Sequence, residues 1–343
     1  MRQIRNLGDV EDFQVDRRRL HSASHEEIRA GATTDIYFVR TLQLLEGMGL
    51  AETPVVAEIF TSRPGVCVGV EECLELLSDR AVEVWALPEG EEFEAKEVIM
   101  RIRGPYSQFG SLETVLLGML ASASAWATGA RACVRAAAGK PVLCFAARHV
   151  HPAVAPVLER AALVGGCAGA SCILGAKLAG REPAGTIPHA AILIAGDTVE
   201  VARAYDRLMP ESAPRIILVD TFKDEAEESL RVAEALGGRL LGVRLDTPDE
   251  RGGVTPALVR EVRARLDQAG YGHVKIFVSG GLNPERIAQL SAAGADAFGV
   301  GSYISRTPPI DMTMDLKVIG DKPVAKRGRI PGLTTAPRLE RMR

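Results

Sequence analysis

The chain has 343 residues, more than one domain usually holds, so two domains are expected. Hydrophobic residues make up 47% and charged residues 25%, the balance of an ordinary globular protein, and the formal net charge of −3 argues against a protein that coats nucleic acid. Neither a basic-then-apolar leader nor an apolar run long enough to cross a bilayer is read, so no membrane partner and a cytoplasmic location are expected.

In chain order, Met1 to Leu20 is charged and poorly periodic, and its alternating acids and arginines from Asp9 to Arg19 predict a solvated arm. Ser24 followed three residues on by Glu27 is a capping pattern. Gly31 to Asp35 leads into an amphipathic helix whose apolar face carries Phe38, Val39, Leu42 and Leu45, with Gly47 and Gly49 ending it. Pro54–Thr61, Val82–Leu87 and Val98–Ile102 alternate as strands, with a helix over Val70–Leu77 and a turn at Gly104-Pro105. This mixture lacks a steady strand–helix beat and predicts an α/β sandwich domain over residues 1–112.

From Leu112 the texture changes. A long helix rich in small residues runs to Arg135, and then strands and helices alternate regularly. The strand segments are Val142–Phe145, Ala168–Ser171, Ala190–Ala195, Ile216–Val219, Leu240–Leu245, Ile276–Val278 and Ala297–Val300. Asn283 and Pro284 open the helix between the last two, as cap and first helical residue. The expected fold class is therefore α/β: an N-terminal α/β sandwich plus an irregular (β/α) barrel over 113–304, one strand short of eight. The tail 305–343 has no slot in such a barrel and is expected to rejoin the first domain.

Active groups of such a barrel sit where strands end on their carboxyl side. Those ends read Arg148, the loop Gly185-Thr186-Ile187-Pro188-His189, Asp220-Thr221, Asp246-Thr247, Ser279-Gly280-Gly281 and Gly299-Val300-Gly301-Ser302. Arginine can hold a carboxylate or phosphate bidentately, and histidine can act as donor, base or nucleophile. The two aspartates suit sugar hydroxyls or, through water, Mg²⁺. Glycine turns let an anion reach backbone N–H groups. Each residue also has a plainer reading: Arg148 as an ion-pair partner, His189 as a satisfied core imidazole, Asp220 and Asp246 as helix caps. Taken together at successive strand ends, they describe a phosphosugar site with a second anionic group nearby. The six cysteines (Cys67, Cys73, Cys133, Cys144, Cys167 and Cys172) are scattered without a CxxC pair, which predicts a reducing compartment and no zinc site.

The ordered set TTDIYF (Thr33–Phe38), FAAR (Phe145–Arg148), GTIPH (Gly185–His189), VDTF (Val219–Phe222), RLDT (Arg244–Thr247), SGGL (Ser279–Leu282) and GVGS (Gly299–Ser302) resembles the type II phosphoribosyltransferases. Among these it is most similar to the nicotinate phosphoribosyltransferases. The resemblance implies transfer of 5-phosphoribosyl from phosphoribosyl diphosphate to nicotinate, giving nicotinate mononucleotide and diphosphate in NAD biosynthesis. It implies that Tyr37 stacks on the pyridine ring, often from a neighbouring subunit, and that Arg148 lies near the carboxylate and the diphosphate. It places Asp220 and Asp246 around the ribose and a magnesium ion, and the 5′-phosphate at Gly280-Gly281 and Gly299–Gly301. Thr186, Thr221, Ser279 and Ser302 count with the substrate-binding groups. His189 matches a histidine that is transiently phosphorylated in ATP-coupled members. A homodimer or larger assembly is implied. Where that family commonly has two adjacent arginines, this chain has Arg148-His149. Two alternatives stay open: a decarboxylating quinolinate phosphoribosyltransferase, which needs a denser cationic cluster, and a regulatory homologue that binds a nucleotide without catalysis. An isomerase or aldolase barrel is disfavoured because Lys223 lies beyond its strand end.

Overall fold

Local capping sets the first elements. Asn6 and Asp9 form a reciprocal capping box, with Asp9 N–H donating to Asn6 Oδ1 at 3.0 Å, and start α1 (Leu7–Glu11). A helix thus occupies part of the segment expected as a solvated arm. The computed structural model describes residues 3–12 and 21–343, so the rest of that expected arm, 1–2 and 13–20, lies outside the described residues. Ser24 and Glu27 cap α2 (His25–Arg29) in the same reciprocal way. The next helix, α3 (Ile36–Gly47), buries Phe38, Val39 and Leu42, while Tyr37 on its other side is 54% exposed.

The chain then lays down β1 (Pro54–Thr61), β2 (Gly65–Val66), α4 (Val70–Leu76), β3 (Glu83–Ala86), β4 (Glu92–Phe93) and β5 (Val98–Pro105). The last of these runs through Gly104-Pro105, where a turn was expected, and pairs Gly104 with Val55. Glycine is needed there for close packing rather than for a turn, since a Cβ on Gly104 would lie 2.8 Å from the Ala81 carbonyl. After α5 (Tyr106–Phe109) comes α6 (Glu113–Ala136), and the division between two compact units falls within it. One unit comprises Met1–Ala127 and Pro308–Arg343, the other Thr128–Thr307.

The second unit carries β6 (Val142–Cys144), α7 (Ala155–Val164), β7 (Gly169–Ala170), α8 (Ile173–Leu178), α9 (His189–Ala195) and α10 (Thr198–Leu208). Then follow β8 (Ile216–Leu218), α11 (Glu225–Leu236), β9 (Gly242–Leu245), α12 (Pro256–Gln268), β10 (Lys275–Val278), α13 (Pro284–Ala292), β11 (Ala297–Val300) and α14 (Ser302–Ser305). Six strands form one parallel, curled sheet in the order β7-β6-β11-β10-β9-β8. All three residues of β8 and all four of β11 are buried, as parallel strands covered on both faces require.

Two expectations are corrected here. Ala190–Ala195 is helix, not strand: a short apolar run reads equally well either way, and Pro188 at its N-cap and Gly196, at φ +86° on the C-cap, frame one helical stretch. Consequently β7 and β8 are sheet edges that do not pair, and the cylinder is not closed by hydrogen bonds.

The tail completes the first unit. There, β12 (Met312–Ile319) pairs antiparallel with β1, β13 (Lys322–Pro323) with β12, and β14 (Glu340–Arg341) with β3, giving a second sheet in the order β13-β12-β1-β5-β3-β14. Its core gathers Ile59, Val84, Met100, Ile102 and Leu116. Among the described residues no helix is long and apolar enough to cross a membrane.

The register of β9 on β10 depends on Gly242, where a Cβ would lie 2.7 Å from the Lys275 carbonyl and 2.8 Å from the Phe277 ring. Gly242→Ala should therefore destabilise the chain by about 1–3 kcal/mol, because neighbouring backbone cannot rotate away. An unchanged urea midpoint in that variant would contradict the tight packing.

Candidate active site

The two-residue alternation of β9 decides the centre of the site. Val243 and Leu245 are buried towards one face, so Arg244 and the following Asp246 share the other. Arg244 donates from Nη2 to Asp246 Oδ2 at 3.0 Å, from Nε to Ser279 Oγ at 2.8 Å and from Nη1 to Thr186 Oγ1 at 2.7 Å. Ser279 Oγ in turn donates to Asp246 Oδ1 at 2.7 Å. The guanidinium also lies over the Phe145 ring, 5.4 Å from its centroid. Arg244 stands in a quoted motif but was not among the expected site residues. The signal that would have found it is its period-two partnership with Asp246.

His189, the first residue of α9, faces both aspartates. Its Nε2 is 3.6 Å from Asp220 Oδ2 and 3.8 Å from Asp246 Oδ2, and its Nδ1 is 3.0 Å from Thr221 Oγ1. The imidazole is 38% exposed, so it is not a sealed core histidine. Asp220 is the unusual group. Its side chain is 1% exposed and neither carboxylate oxygen has a hydrogen-bond partner. It is not a cap either: Asp224 caps α11, accepting from Ala226 and Glu227 N–H. Burial pushes the Asp220 carboxyl up from 3.8 to about 6, with His189 opposing and Asp246 adding to the shift.

The glycine turns divide by cause. Gly280 and Gly281 take φ of +86° and +58°, and a Cβ on Gly280 would lie 3.2 Å from Asp246 Oδ1. Gly299 and Gly301 instead make room for the chain's own loop. A Cβ on Gly299 would collide with the Phe145 ring, and one on Gly301 would lie 2.6 Å from the Phe145 carbonyl and 2.5 Å from the His149 ring. Ser302 begins α14 directly after this corner.

Arg148 and His149 are exposed on the 3-10 turn that follows β6. Burial lowers the His149 pKa most, Arg148 and Arg306 lower it further, and the Gly301 backbone opposes them. Arg306, absent from the sequence expectations, thus adds to the positive charge felt by His149, whose ring lies against Gly301. Lys223 is spent on Glu227 at 2.8 Å. Tyr37 belongs to the other unit, where its ring lies 4.1 Å from that of Phe38.

The structure thus brings together Thr186, His189, Asp220, Thr221, Asp246, Ser279 and Gly280, with Arg148, Gly299, Gly301 and Ser302 grouped around the β11 corner. Among the described residues no three His, Cys, Asp or Glu groups are spaced to enclose a metal ion. The two Asp220 oxygens without a hydrogen-bond partner are hard donors of the type that a hard cation would use.

Two family models match in succession: the N-terminal domain of quinolinate phosphoribosyl transferase over residues 35–124 and its C-terminal domain over 126–315. Nicotinate phosphoribosyltransferase pncB2 of Mycobacterium tuberculosis is 34% identical over 244 residues, which is 68% of this chain and 51% of that protein. The chain therefore spans about half the length of that curated relative. The crystal structure of nicotinate-nucleotide pyrophosphorylase from Pyrococcus furiosus superimposes with a TM-score of 0.88 at 46% identity, covering 92% of this chain and 82% of that one. The human nicotinate-nucleotide pyrophosphorylase [carboxylating] is 26% identical over 82% of this chain and 88% of its own. With both domains present in order, the chain belongs to the quinolinate phosphoribosyl transferase family, and so to the type II phosphoribosyltransferases.

Proposed function

We propose that this protein transfers 5-phosphoribosyl from phosphoribosyl diphosphate to the ring nitrogen of nicotinate, giving nicotinate mononucleotide and diphosphate. The observation that carries the reading is the convergence of His189 on two carboxylates, 3.6 and 3.8 Å away, beside the Gly280-Gly281 turn. The Mycobacterium tuberculosis relative, named a nicotinate phosphoribosyltransferase, supports the choice of base.

The pyridine nitrogen is already a nucleophile, so the chain has no strong base to supply. Its work is to hold the two partners in line and to offset charge as the bond from the sugar to the diphosphate loosens. Asp246, locked by Arg244 and Ser279, presents fixed acceptor oxygens to the ribose hydroxyls. Arg148 and Arg306 attract the anionic groups, and the backbone N–H groups of the glycine turns take the 5′-phosphate. Asp220, with Asp246, would hold Mg²⁺ through water. That ion would neutralise charge on the departing diphosphate.

A second reading is the decarboxylating reaction on quinolinate, favoured by the family models and by the 46% identical Pyrococcus furiosus structure. A panel of pyridine bases assayed for diphosphate, with and without ATP, tests both. Nicotinate turnover without carbon dioxide supports the first reading, and carbon dioxide release from quinolinate the second. Tight phosphoribosyl diphosphate binding with no diphosphate released from any base would point to a regulatory homologue. On the proposed reading, Asp246→Ala removes turnover, by about 10³-fold or more, in a chain that still folds. Full activity in that variant would remove Asp246 from the site.

Tyr37→Ala should raise KM for the base at least fivefold while leaving phosphoribosyl diphosphate binding within twofold. Equal loss of both would contradict a stacking role.

Asp220 gives a prediction about stability. Its raised pKa means that the folded chain holds the proton more tightly than the unfolded one. That stabilisation is complete below pH 3.8 and is lost as pH rises through about 6. At neutral pH the buried charge costs up to about 3 kcal/mol. In buffer without divalent cations, Asp220→Asn should therefore raise the urea midpoint at pH 7.5 and lose that gain towards pH 4. Equal gains at both pH values would rule out burial of the charge as the cause.

A further inference from the structure

Glu159 lies on α7, outside the reacting centre, and its side chain is fully buried. Its Oε1 accepts hydrogen bonds from the Ala146 and Ala147 N–H groups, both at 3.0 Å, and from Ser171 Oγ at 2.9 Å. Its Oε2 accepts from Cys172 N–H. All four donors are neutral, and three of them are backbone amides.

The positions of those donors give the pattern its meaning. Ala146 and Ala147 open the 3-10 turn Ala147–His149 after β6, and Cys172 is the N-cap of α8 after β7. The first N–H groups of a helical turn have no acceptor within the turn, and a carboxylate is a strong external one. One side chain therefore satisfies the carboxyl-end turns of two adjacent parallel strands. Close approach of α8 makes this reach possible: a Cβ on Gly175 would lie 3.1 Å from the Glu159 Cβ.

The held turn carries Arg148 and His149. It issues from Phe145, whose ring backs Arg244 and whose carbonyl fills the space beside Gly301. A shift of this turn would move Arg148 and the Gly301 corner together.

We propose that Glu159 is a positioning residue, which fixes the Ala146–His149 turn so that Arg148 meets the anionic substrate. The role towards substrate rests on the phosphoribosyl transfer proposed above; the hold on the turn does not.

The test uses the full chain carrying Glu159→Gln, which keeps the volume but replaces one acceptor oxygen by a donor. Hydrogen exchange read by mass spectrometry should show peptides spanning 145–150 and 171–175 exchanging at least tenfold faster. Peptides covering β9 and β10 should keep their protection. In steady-state kinetics, kcat/KM for phosphoribosyl diphosphate should fall about tenfold or more, mainly through KM. In an Arg148→Ala background the same change should cost less than a further twofold, because residues acting as one unit are not additive. Unchanged exchange in the two turns, or an undiminished tenfold loss on top of Arg148→Ala, would overturn the proposal. If Glu159→Gln fails to fold, Ser171→Ala, which removes one donor and leaves the carboxylate, serves for the same comparisons with smaller effects in the same direction. A wild-type protein that neither binds nor consumes phosphoribosyl diphosphate would sink the transfer reading, while the exchange result would still report whether Glu159 holds the turn.

Discussion

The site is built around the Arg244 guanidinium. Its three hydrogen bonds go to groups on three different segments: Asp246 after its own strand, Ser279 after β10, and Thr186 in the loop before α9. Its flat face rests on Phe145, which follows β6. A planar, permanently charged fork suits this task in a way that a lysine would not, because several donors must point in fixed directions at once. The pairing with Asp246 is largely withdrawn from water, so each charge depends on the other. Removing the arginine would leave a half-buried carboxylate without its counter-ion, a loss larger than that of a hydrogen bond.

Carboxylates play two different parts around this centre. Asp246 is fully engaged and therefore fixed. Asp220 has a buried side chain with neither oxygen hydrogen-bonded and the His189 ring 3.6 Å away, and its charge is a cost to the fold at neutral pH. Two further buried acids act as ties. Glu159 gathers the turns after β6 and β7, and Glu225 accepts from Thr247 Oγ1 at 2.7 Å, linking the start of α11 to the end of β9. Such acids let short strands end abruptly and still present ordered loops, because the orphaned donors at each end find an acceptor within the fold.

Much of this arrangement was legible in the sequence, and the parts that were not share a cause. The segments KIFV and AFGV were readable as strands because Gly-rich turns bound them, and the helix between them because Asn283 and Pro284 mark its start. Asp220, Asp246 and His189 could be singled out because each stands at the boundary of an apolar run. Ala190–Ala195 is ambiguous because six apolar residues carry no period that separates strand from helix. Arg244 is hidden because it lies within a strand, where a charge reads as part of a solvated face. Glu159 gives no local signal: its partners are 12 and 13 residues away, on two other loops. The Gly299 and Gly301 positions were recognised as special, but the neighbours that require them, Phe145 and His149, emerge only from the fold.

The mounting of His189 has a mechanical consequence. It rides on α9, a helix of seven residues, and not on the sheet itself. Leu193 and Ile194 on that helix are 58% and 88% exposed, and Ile192 is its anchor into the interior. Sliding α9 would break no strand ladder and would forfeit chiefly the Thr221 contact and the seat of Ile192. The imidazole is thus the member of the cluster with the softest suspension, while the two acids it faces are bolted to the frame.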